Sequence, residues 1–280
     1  MKKTIPFTLA LLLLWVSPVT AVHVDLPGEV ARGQPFWVEL ESDRQPLGLE
    51  ISWLDRSFVM PSELPGKQKI LLGAGLEREG RQSLELSFYW REHRQKKRYE
   101  IEVEDKEYPE QHLTLPEEMV EPPREKRYRI ARERQKLTSA LNSFRLERYW
   151  DGDFSLPVHG EVSSPFGVER YLNEKPRSPH KGVDLQGDKG TPIKSIAAGR
   201  ATLTGDFYFG GKTVVVDHGQ GMHSLYMHLS EIRVQEDEFV QQAELIGEMG
   251  MTGRATGPHL HLGTYVLGEA VDPMLLLEEE

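Results

Sequence analysis

The feature that most constrains the fold is a period-two alternation of apolar and polar residues in short segments. Connections that contain glycine or proline, such as Gly73-Ala74-Gly75, separate these segments. Because successive side chains of a strand point to opposite faces of a sheet, the alternation predicts half-buried strands. Before residue 116 the predicted strands are residues 36–40, 49–53, 82–90 and 98–103. Short strands of this kind are typical of a small β-sandwich.

One stretch, residues 124–148, has helical spacing instead. Four apolar residues would share one face of a helix over this stretch; they are Ile130, Leu137, Leu141 and Phe144. The stretch also carries nine Lys or Arg and three Glu, a net charge of +6. We expect the apolar stripe to dock on a domain and the basic face to be solvated. Contact of that basic face with an anionic cell-envelope surface is the alternative.

After residue 150 the pattern again predicts strands, at residues 214–216, 224–228 and 259–266, and no long amphipathic helix. We therefore predict a mostly β protein with antiparallel sheets. The predicted division is a signal peptide at residues 1–21, a β-sandwich-like domain at 22–115, a linker with a basic helix at 116–150, and an antiparallel β domain at 151–280.

Residues 1–21 have the pattern of an export signal. Lys2 and Lys3 precede an apolar core at residues 9–16, and Ala21 suits cleavage by signal peptidase. Because that core is too short to span a bilayer, we expect removal of the segment, with an uncleaved anchor as the alternative. We expect a periplasmic location, with secretion or association with the cell wall as alternatives.

Composition excludes several kinds of site. The chain has no cysteine, so we expect neither a lipoprotein anchor nor disulfides, and any metal site must use histidine and carboxylate ligands. A net charge of −10 argues against a nucleic-acid partner.

Six of the ten histidines lie between residues 180 and 261. His259 and His261 alternate with Leu260 and Leu262. In a strand this places both imidazoles on one face and both leucines on the face that packs against a core.

The other candidate residues lie in different local settings. His180 and Asp184 are four positions apart, but Pro179 and Gly182 disfavour a helix, so we expect a loop histidine that leads into a strand aspartate. His228 lies at the end of a predicted strand. His218, predicted in a turn, and His223, predicted just before a strand, are expected to have structural or solvent roles.

Together these residues have the composition of a hydrolytic zinc site, which takes three His, Asp or Glu ligands and leaves one position for water. His180, Asp184 and one of His259 and His261 would supply two nitrogens and one oxygen. The remaining histidine and His228 would lie beside the water. The helical His-Glu-x-x-His motif does not occur, so a neutral histidine is expected to act as the base.

The residues from about 160 to 277 resemble the lysostaphin/LytM-type zinc metallopeptidases. The resemblance depends on seven motifs in order, namely SSPFG (163–167), HKGVD (180–184), GTPI (190–193), VDHG (216–219), LYMHLS (225–230), GRATGPHLHL (253–262) and VDP (271–273). Residues 207–212 match the family only loosely, and residues 168–177 offer no motif. Because substrate choice depends on such loops, it stays open.

The resemblance implies one zinc ion per chain, held by His180, Asp184 and His261, with His228 and His259 as the catalytic pair. It implies a compact β catalytic domain that hydrolyses peptide stems or cross-links of bacterial peptidoglycan. The first alternative is a non-catalytic module that binds the wall or activates another hydrolase through the same groove. The second is a secreted peptidase that acts on proteins.

The sequence leaves the role of the N-terminal domain open between targeting, partner binding and covering of the groove. The expected partner is a peptidoglycan peptide, and a regulatory envelope protein is kept open. The oligomeric state is not predicted.

Overall fold

The computed structural model describes residues 22–91 and 93–278, so the predicted signal at residues 1–21 lies outside the described residues. The described chain is mostly β, and most of its strand pairs are antiparallel, which confirms the predicted fold class. Within these two ranges, no helix combines the length and the apolar character needed to cross a membrane.

Nine strands precede the linker. They are β1 (His23–Asp25), β2 (Glu29–Ala31), β3 (Pro35–Ser42), β4 (Gly48–Trp53), β5 (Arg56–Met60), β6 (Gly66–Gly73), β7 (Gly80–Tyr89), β8 (Arg94–Glu104) and β9 (Glu110–Leu113). All four strands predicted in this part lie within or overlap observed strands, namely β3, β4, β7 and β8.

Two helices and fifteen strands follow. They are α1 (Glu117–Val120), α2 (Arg127–Leu141), β10 (Phe154–Ser155), β11 (Val162–Ser164), β12 (Glu169–Leu172), β13 (Lys175–Pro176), β14 (Val183–Gln186), β15 (Pro192–Lys194), β16 (Gly199–Phe207), β17 (Gly211–Gly219), β18 (Met222–Leu229), β19 (Glu231–Ile232), β20 (Phe239–Val240), β21 (Leu245–Glu248), β22 (His259–Val266), β23 (Glu269–Val271) and β24 (Leu277–Glu278). Short 3-10 turns occupy Arg124–Lys126 and Pro273–Leu275.

The first strands form two sheets with one core between them. One has the order β2-β8-β7-β4-β5 and the other the order β1-β3-β6. The rings of Phe36 in β3 and Trp53 in β4 meet edge to face, with centroids 5.4 Å apart. Alternate residues of β4, among them Leu49 and Ile51, are fully buried, as the period-two pattern requires. The predicted division of the chain into domains stays a prediction.

An eight-stranded antiparallel sheet supports the candidate site. Its order is β11-β14-β22-β18-β17-β16-β20, and β23 pairs with β22. Leu260 and Leu262 of β22 are fully buried in the main core, on the face opposite the histidines that alternate with them. The sheet therefore presents the polar residues of its central strands to a groove on its other face.

The chain just before the linker joins a separate three-stranded sheet of order β13-β12-β9, and the linker itself lines the groove. β9 pairs in parallel with β12, with Leu113 opposite Leu172. This pairing crosses the predicted boundary at residue 115, and it brings the following residues, including α1, to one side of the groove.

The helix is shorter than the predicted 124–148, because tertiary contacts replace the helical pattern after Leu141. Leu141 is buried against Leu203 and Phe207, so this part of the predicted stripe does dock on the sheet. Phe144 lies beyond the helix and packs on Phe58 of β5, with ring centroids 4.8 Å apart.

Candidate metal centre

The centre begins with two strands whose register sets two candidate ligands opposite each other. β14 and β22 are antiparallel, with Asp184 paired to His261 and Gln186 paired to His259. Directly opposed residues in such a pair project to the same face. Asp184 and His261 therefore meet on the groove side.

His180 approaches the same point from the loop before β14. Its backbone N–H donates to the carbonyl of Val168 at 2.9 Å, and its ring Nδ1 lies 2.9 Å from the carbonyl oxygen of Pro165. Because a carbonyl oxygen only accepts, Nδ1 carries the proton of the neutral ring. The lone pair of His180 is then on Nε2, which faces Asp184.

Three donor atoms converge at this point. His180 Nε2 lies 2.9 Å from His261 Nδ1 and 3.0 Å from Asp184 Oδ1, and the aspartate oxygen lies 2.9 Å from His261 Nδ1. These three residues are the metal-site candidate among the described residues. Two nitrogens and one oxygen within such a distance form a donor set that suits zinc.

Gly182 makes the close packing around His261 feasible. A Cβ at this position would lie 2.4 Å from the carbonyl oxygen of Leu262 and 2.7 Å from the His261 ring. Any other residue would push β14 away from β22, so the glycine of the HKGVD motif is a packing requirement of the centre.

The protonation states of Asp184 and His180 suit residues that bind a metal ion. Burial alone would raise the pKa of Asp184, but its close contacts with the imidazoles of His180 and His261 outweigh burial and hold that pKa far below its usual range. Burial also lowers the pKa of His180 to about 4. At neutral pH the aspartate is therefore ionised and the histidine carries a free lone pair.

A β-bulge turns His228 toward the centre. Val214 pairs with Tyr226 and Lys212 pairs with Leu229, so two residues of β18 face the single residue between them on β17. Tyr226 and Leu229 both remain buried in the main core, and His228 points to the groove with a φ of 65°. Bulges re-aim side chains in this way, and such backbone strain concentrates at functional sites.

His228 and His259 form a second pair of imidazoles beside the first three residues. Their ring centroids are 4.7 Å apart, and His259 Nε2 lies 4.0 Å from Asp184 Oδ1. Nδ1 of His228 lies 2.8 Å from the Thr252 carbonyl, and Nδ1 of His259 lies 2.8 Å from that of Gly257. Both rings therefore offer Nε2 as the basic nitrogen. The structure brings all five predicted site residues together.

Sequence reasoning missed Arg170, which lies on β12 within residues 168–177, a stretch without a motif that was expected to be a loop but contains β12 and β13. Its guanidinium donates to Asp184 Oδ2 at 2.7 Å and to the Ser164 hydroxyl at 3.0 Å. Ser164 Oγ lies 3.2 Å from Nδ1 of His180. Arg170 thus orients two of the three candidate ligands. The only local signal for it is its position shortly before HKGVD, which is not specific.

His218 and His223 have structural positions away from the centre. His218 is in β17 rather than in a turn, and His223 is within β18 rather than before it; both are fully buried. Nδ1 of His218 lies 2.8 Å from the Ala198 carbonyl, and Nε2 lies 2.7 Å from Ser224 Oγ. Of the two expected roles, the structural one fits this burial and the solvent one does not.

A groove of about 1330 Å³ runs past the five residues. One wall consists of strands of the large sheet, and the other consists of the linker, including Val120 and Pro122, and α2 residues such as Ile130 and Arg134.

Comparison with known proteins places this geometry in context. Residues 178–273 match the model of peptidase family M23. A crystal structure from Pseudomonas aeruginosa described as a peptidase M23 is 31% identical, with a TM-score of 0.68, and the match covers 88% of this chain and 94% of that one.

Curated relatives match over a shorter region. The DD-carboxypeptidase/endopeptidase Mpg of Neisseria meningitidis serogroup B is 37% identical over 117 residues, which are 42% of this chain and 27% of the relative. The peptidoglycan DD-endopeptidase ShyA of Vibrio cholerae is 38% identical over 114 residues, which are 40% of this chain and 26% of the relative. These matches span about a quarter of the relatives' length.

Proposed function

Because the chain belongs to peptidase family M23, we propose that it is an exported zinc-dependent endopeptidase that hydrolyses peptide stems or cross-links of bacterial peptidoglycan. We propose that it acts in the periplasm. The observation that carries the proposal is the convergence of His180 Nε2, Asp184 Oδ1 and His261 Nδ1 within 3.0 Å of one another.

The donor set supports one zinc ion per chain, held by His180, Asp184 and His261. Zinc accepts imidazole nitrogen and carboxylate oxygen, and a hydrolytic site uses three such ligands. The contact of His180 Nδ1 with the Pro165 carbonyl and that of Asp184 Oδ2 with Arg170 are the outer hydrogen bonds that orient metal ligands. When bound, a zinc ion supplies a Lewis acid that polarises a carbonyl oxygen and acidifies water.

His228 and His259 supply the proton transfer that peptide hydrolysis needs. Each ring is fixed by its Nδ1 contact with a backbone carbonyl, so each presents Nε2 to the groove. These are the two atoms that can take a proton from water or give one to the leaving amine. Their fixed orientation removes the need to order them in the transition state.

The names of two relatives support the choice of substrate. ShyA is named a peptidoglycan DD-endopeptidase, and Mpg is named a DD-carboxypeptidase/endopeptidase. Peptidoglycan peptide is therefore the substrate class that we propose, and the linker-lined groove is where it would bind.

The test is digestion of purified peptidoglycan together with measurement of bound zinc. We expect about one zinc ion per chain and loss of products after treatment with a chelator. The masses of the released fragments should correspond to hydrolysis of a peptide bond in a stem or cross-link, with the glycan strands intact. A glycine-rich peptide and a denatured protein serve as comparison substrates. Zinc binding with no cleavage of any substrate would instead indicate a wall-binding or hydrolase-activating module. Preferential cleavage of the protein would indicate a general secreted peptidase.

A further inference from the structure

A smaller pocket of about 270 Å³ opens from the groove beside His228 and His261. We call it the side pocket. Its apolar lining includes Ile130 and Leu137 of α2 and Phe209 of the β16–β17 connection. Arg134 of α2 and Arg254 of the β21–β22 connection also line it and supply positive charge. The pocket thus combines an apolar interior with cationic side chains, next to the residues proposed to do the chemistry.

The position of Arg134 follows from the geometry of α2. Arg127, Ile130, Arg134 and Leu137 are spaced three, four and three residues apart, so they share one face of the helix. All four line the groove. Part of the basic surface of this helix therefore faces the groove, whereas the sequence predicted that this surface is simply solvated.

The charge of Arg134 is not neutralised within the pocket. Across the two described ranges, no carboxylate lies within ion-pair distance of its guanidinium. The acidic residue of the pocket, Glu133, is engaged elsewhere. It accepts from Arg129 at 2.5 Å and from the backbone N–H of Tyr208 at 2.8 Å. Arg134 is thus available to an anionic ligand.

Arg254 is held flat over the Phe209 ring, with its guanidinium carbon 4.4 Å from the centroid. Burial lowers the pKa of Arg254, and the neighbouring guanidinium groups of Arg170 and Arg177 lower it further. Arg170 is itself paired with Asp184 at 2.7 Å and Arg177 with Glu121 at 2.9 Å, so these two charges are compensated by carboxylates.

We propose that the side pocket binds an aliphatic side chain of the substrate peptide that ends in a carboxylate, and that Arg134 and Arg254 contact this carboxylate. The apolar lining fits the aliphatic part, and the two guanidinium groups fit the planar anion. Bound in this way, the residue would lie beside His228 and fix which peptide bond reaches the centre. This inference rests on the proposed peptidase function.

The test uses two synthetic cross-linked stem peptides that differ at one group. The first carries meso-diaminopimelate with its free side-chain carboxylate, and the second carries the corresponding carboxamide. We expect the protein to favour the carboxylate peptide in kcat/KM by about tenfold or more, because a hydrogen bond between two charged groups is stronger than one to a neutral amide. Arg134→Gln should remove most of that preference, and Arg134→Lys should restore part of it.

Arg132→Gln is the matched control, because Arg132 is exposed on the same helix and does not line the groove. It should keep the preference unchanged. Equal cleavage of both peptides by the unaltered protein would overturn the inference and leave the peptidase function standing.

If neither peptide is cleaved, the peptidase proposal fails. The affinities of the two uncleaved peptides, measured by calorimetry, then test the side pocket independently of cleavage. Tighter binding of the carboxylate peptide that is lost in Arg134→Gln would support the pocket, and equal affinities would overturn it.

Discussion

Asp184 lies directly opposite His261 across two antiparallel strands, with its Oδ1 2.9 Å from Nδ1 of the histidine. His180 reaches the same point from a loop anchored by the carbonyl groups of Val168 and Pro165. Two of the three candidate ligands are thus set by sheet register, and the third by loop hydrogen bonds. Substitutions of these three ligand candidates and of their neighbours should therefore affect zinc binding and turnover separately.

The replacement His261→Ala removes one nitrogen from the donor set. We expect zinc content to fall below about a tenth of that of the unaltered protein, and cleavage of peptidoglycan to be lost, since two ligands bind zinc poorly. Metal analysis of the dialysed protein measures the first effect. His159→Ala is the control, because His159 is exposed and does not line the groove. Full zinc content in His261→Ala would remove this residue from the ligand set.

The replacement His228→Ala tests the role of the bulged residue. We expect zinc content to stay near one per chain and kcat to fall by roughly 10²- to 10⁴-fold, the range associated with loss of a general acid or base. His259→Ala should behave alike. Loss of zinc in either variant would assign that histidine to the ligands instead.

Arg170 is expected to act as a positioning residue through Asp184 Oδ2. Replacement by Gln should weaken zinc binding by about 10- to 100-fold, which is typical when an outer partner of a ligand is removed. Chelator competition gives the zinc Kd directly, independent of turnover. Arg170→Lys should recover part of the affinity, because it keeps the positive charge but not the planar geometry. An unchanged Kd in Arg170→Gln would contradict the assignment.

His218 should make stability depend on pH. Burial lowers the pKa of His218 to about 4, below its unfolded value of 6.5. Between these values the unfolded chain binds a proton that the folded chain does not, so the free energy of unfolding decreases as the pH falls. Above pH 6.5, where His218 is neutral in both states, its titration does not lower the free energy of unfolding. At about pH 5 the same titration lowers that free energy by about 2 kcal/mol.

Urea unfolding of the unaltered protein and of His218→Gln, at about pH 7.5 and about pH 5, measures this effect. The Gln variant cannot take up the proton, so its loss of stability on acidification should be smaller by about that amount. His23→Gln, at an exposed position of β1, is the control. The same acid sensitivity in all three proteins would show that His218 does not titrate as stated.

Much of the fold can be predicted from the sequence because period-two alternation is a local property. The observed β22, His259–Val266, has the bounds predicted from the pattern, and Leu260 and Leu262 are buried as expected. The helix was less predictable. Its apolar spacing continues to Phe144, but that ring packs on Phe58 of another sheet, and a contact so distant in sequence leaves no local signal.

The sequence alone determined which side chains are available to the centre, four imidazoles and one carboxylate, and it predicts two of those imidazoles and the carboxylate as ligands. Only the tertiary structure decided how these groups meet. Strand register sets Asp184 against His261, a bulge turns His228 inward, and Arg170 arrives on a strand with no recognisable motif. Side-chain identity is local, but register, bulges and the docking of α2 along the groove depend on contacts between residues far apart in the chain.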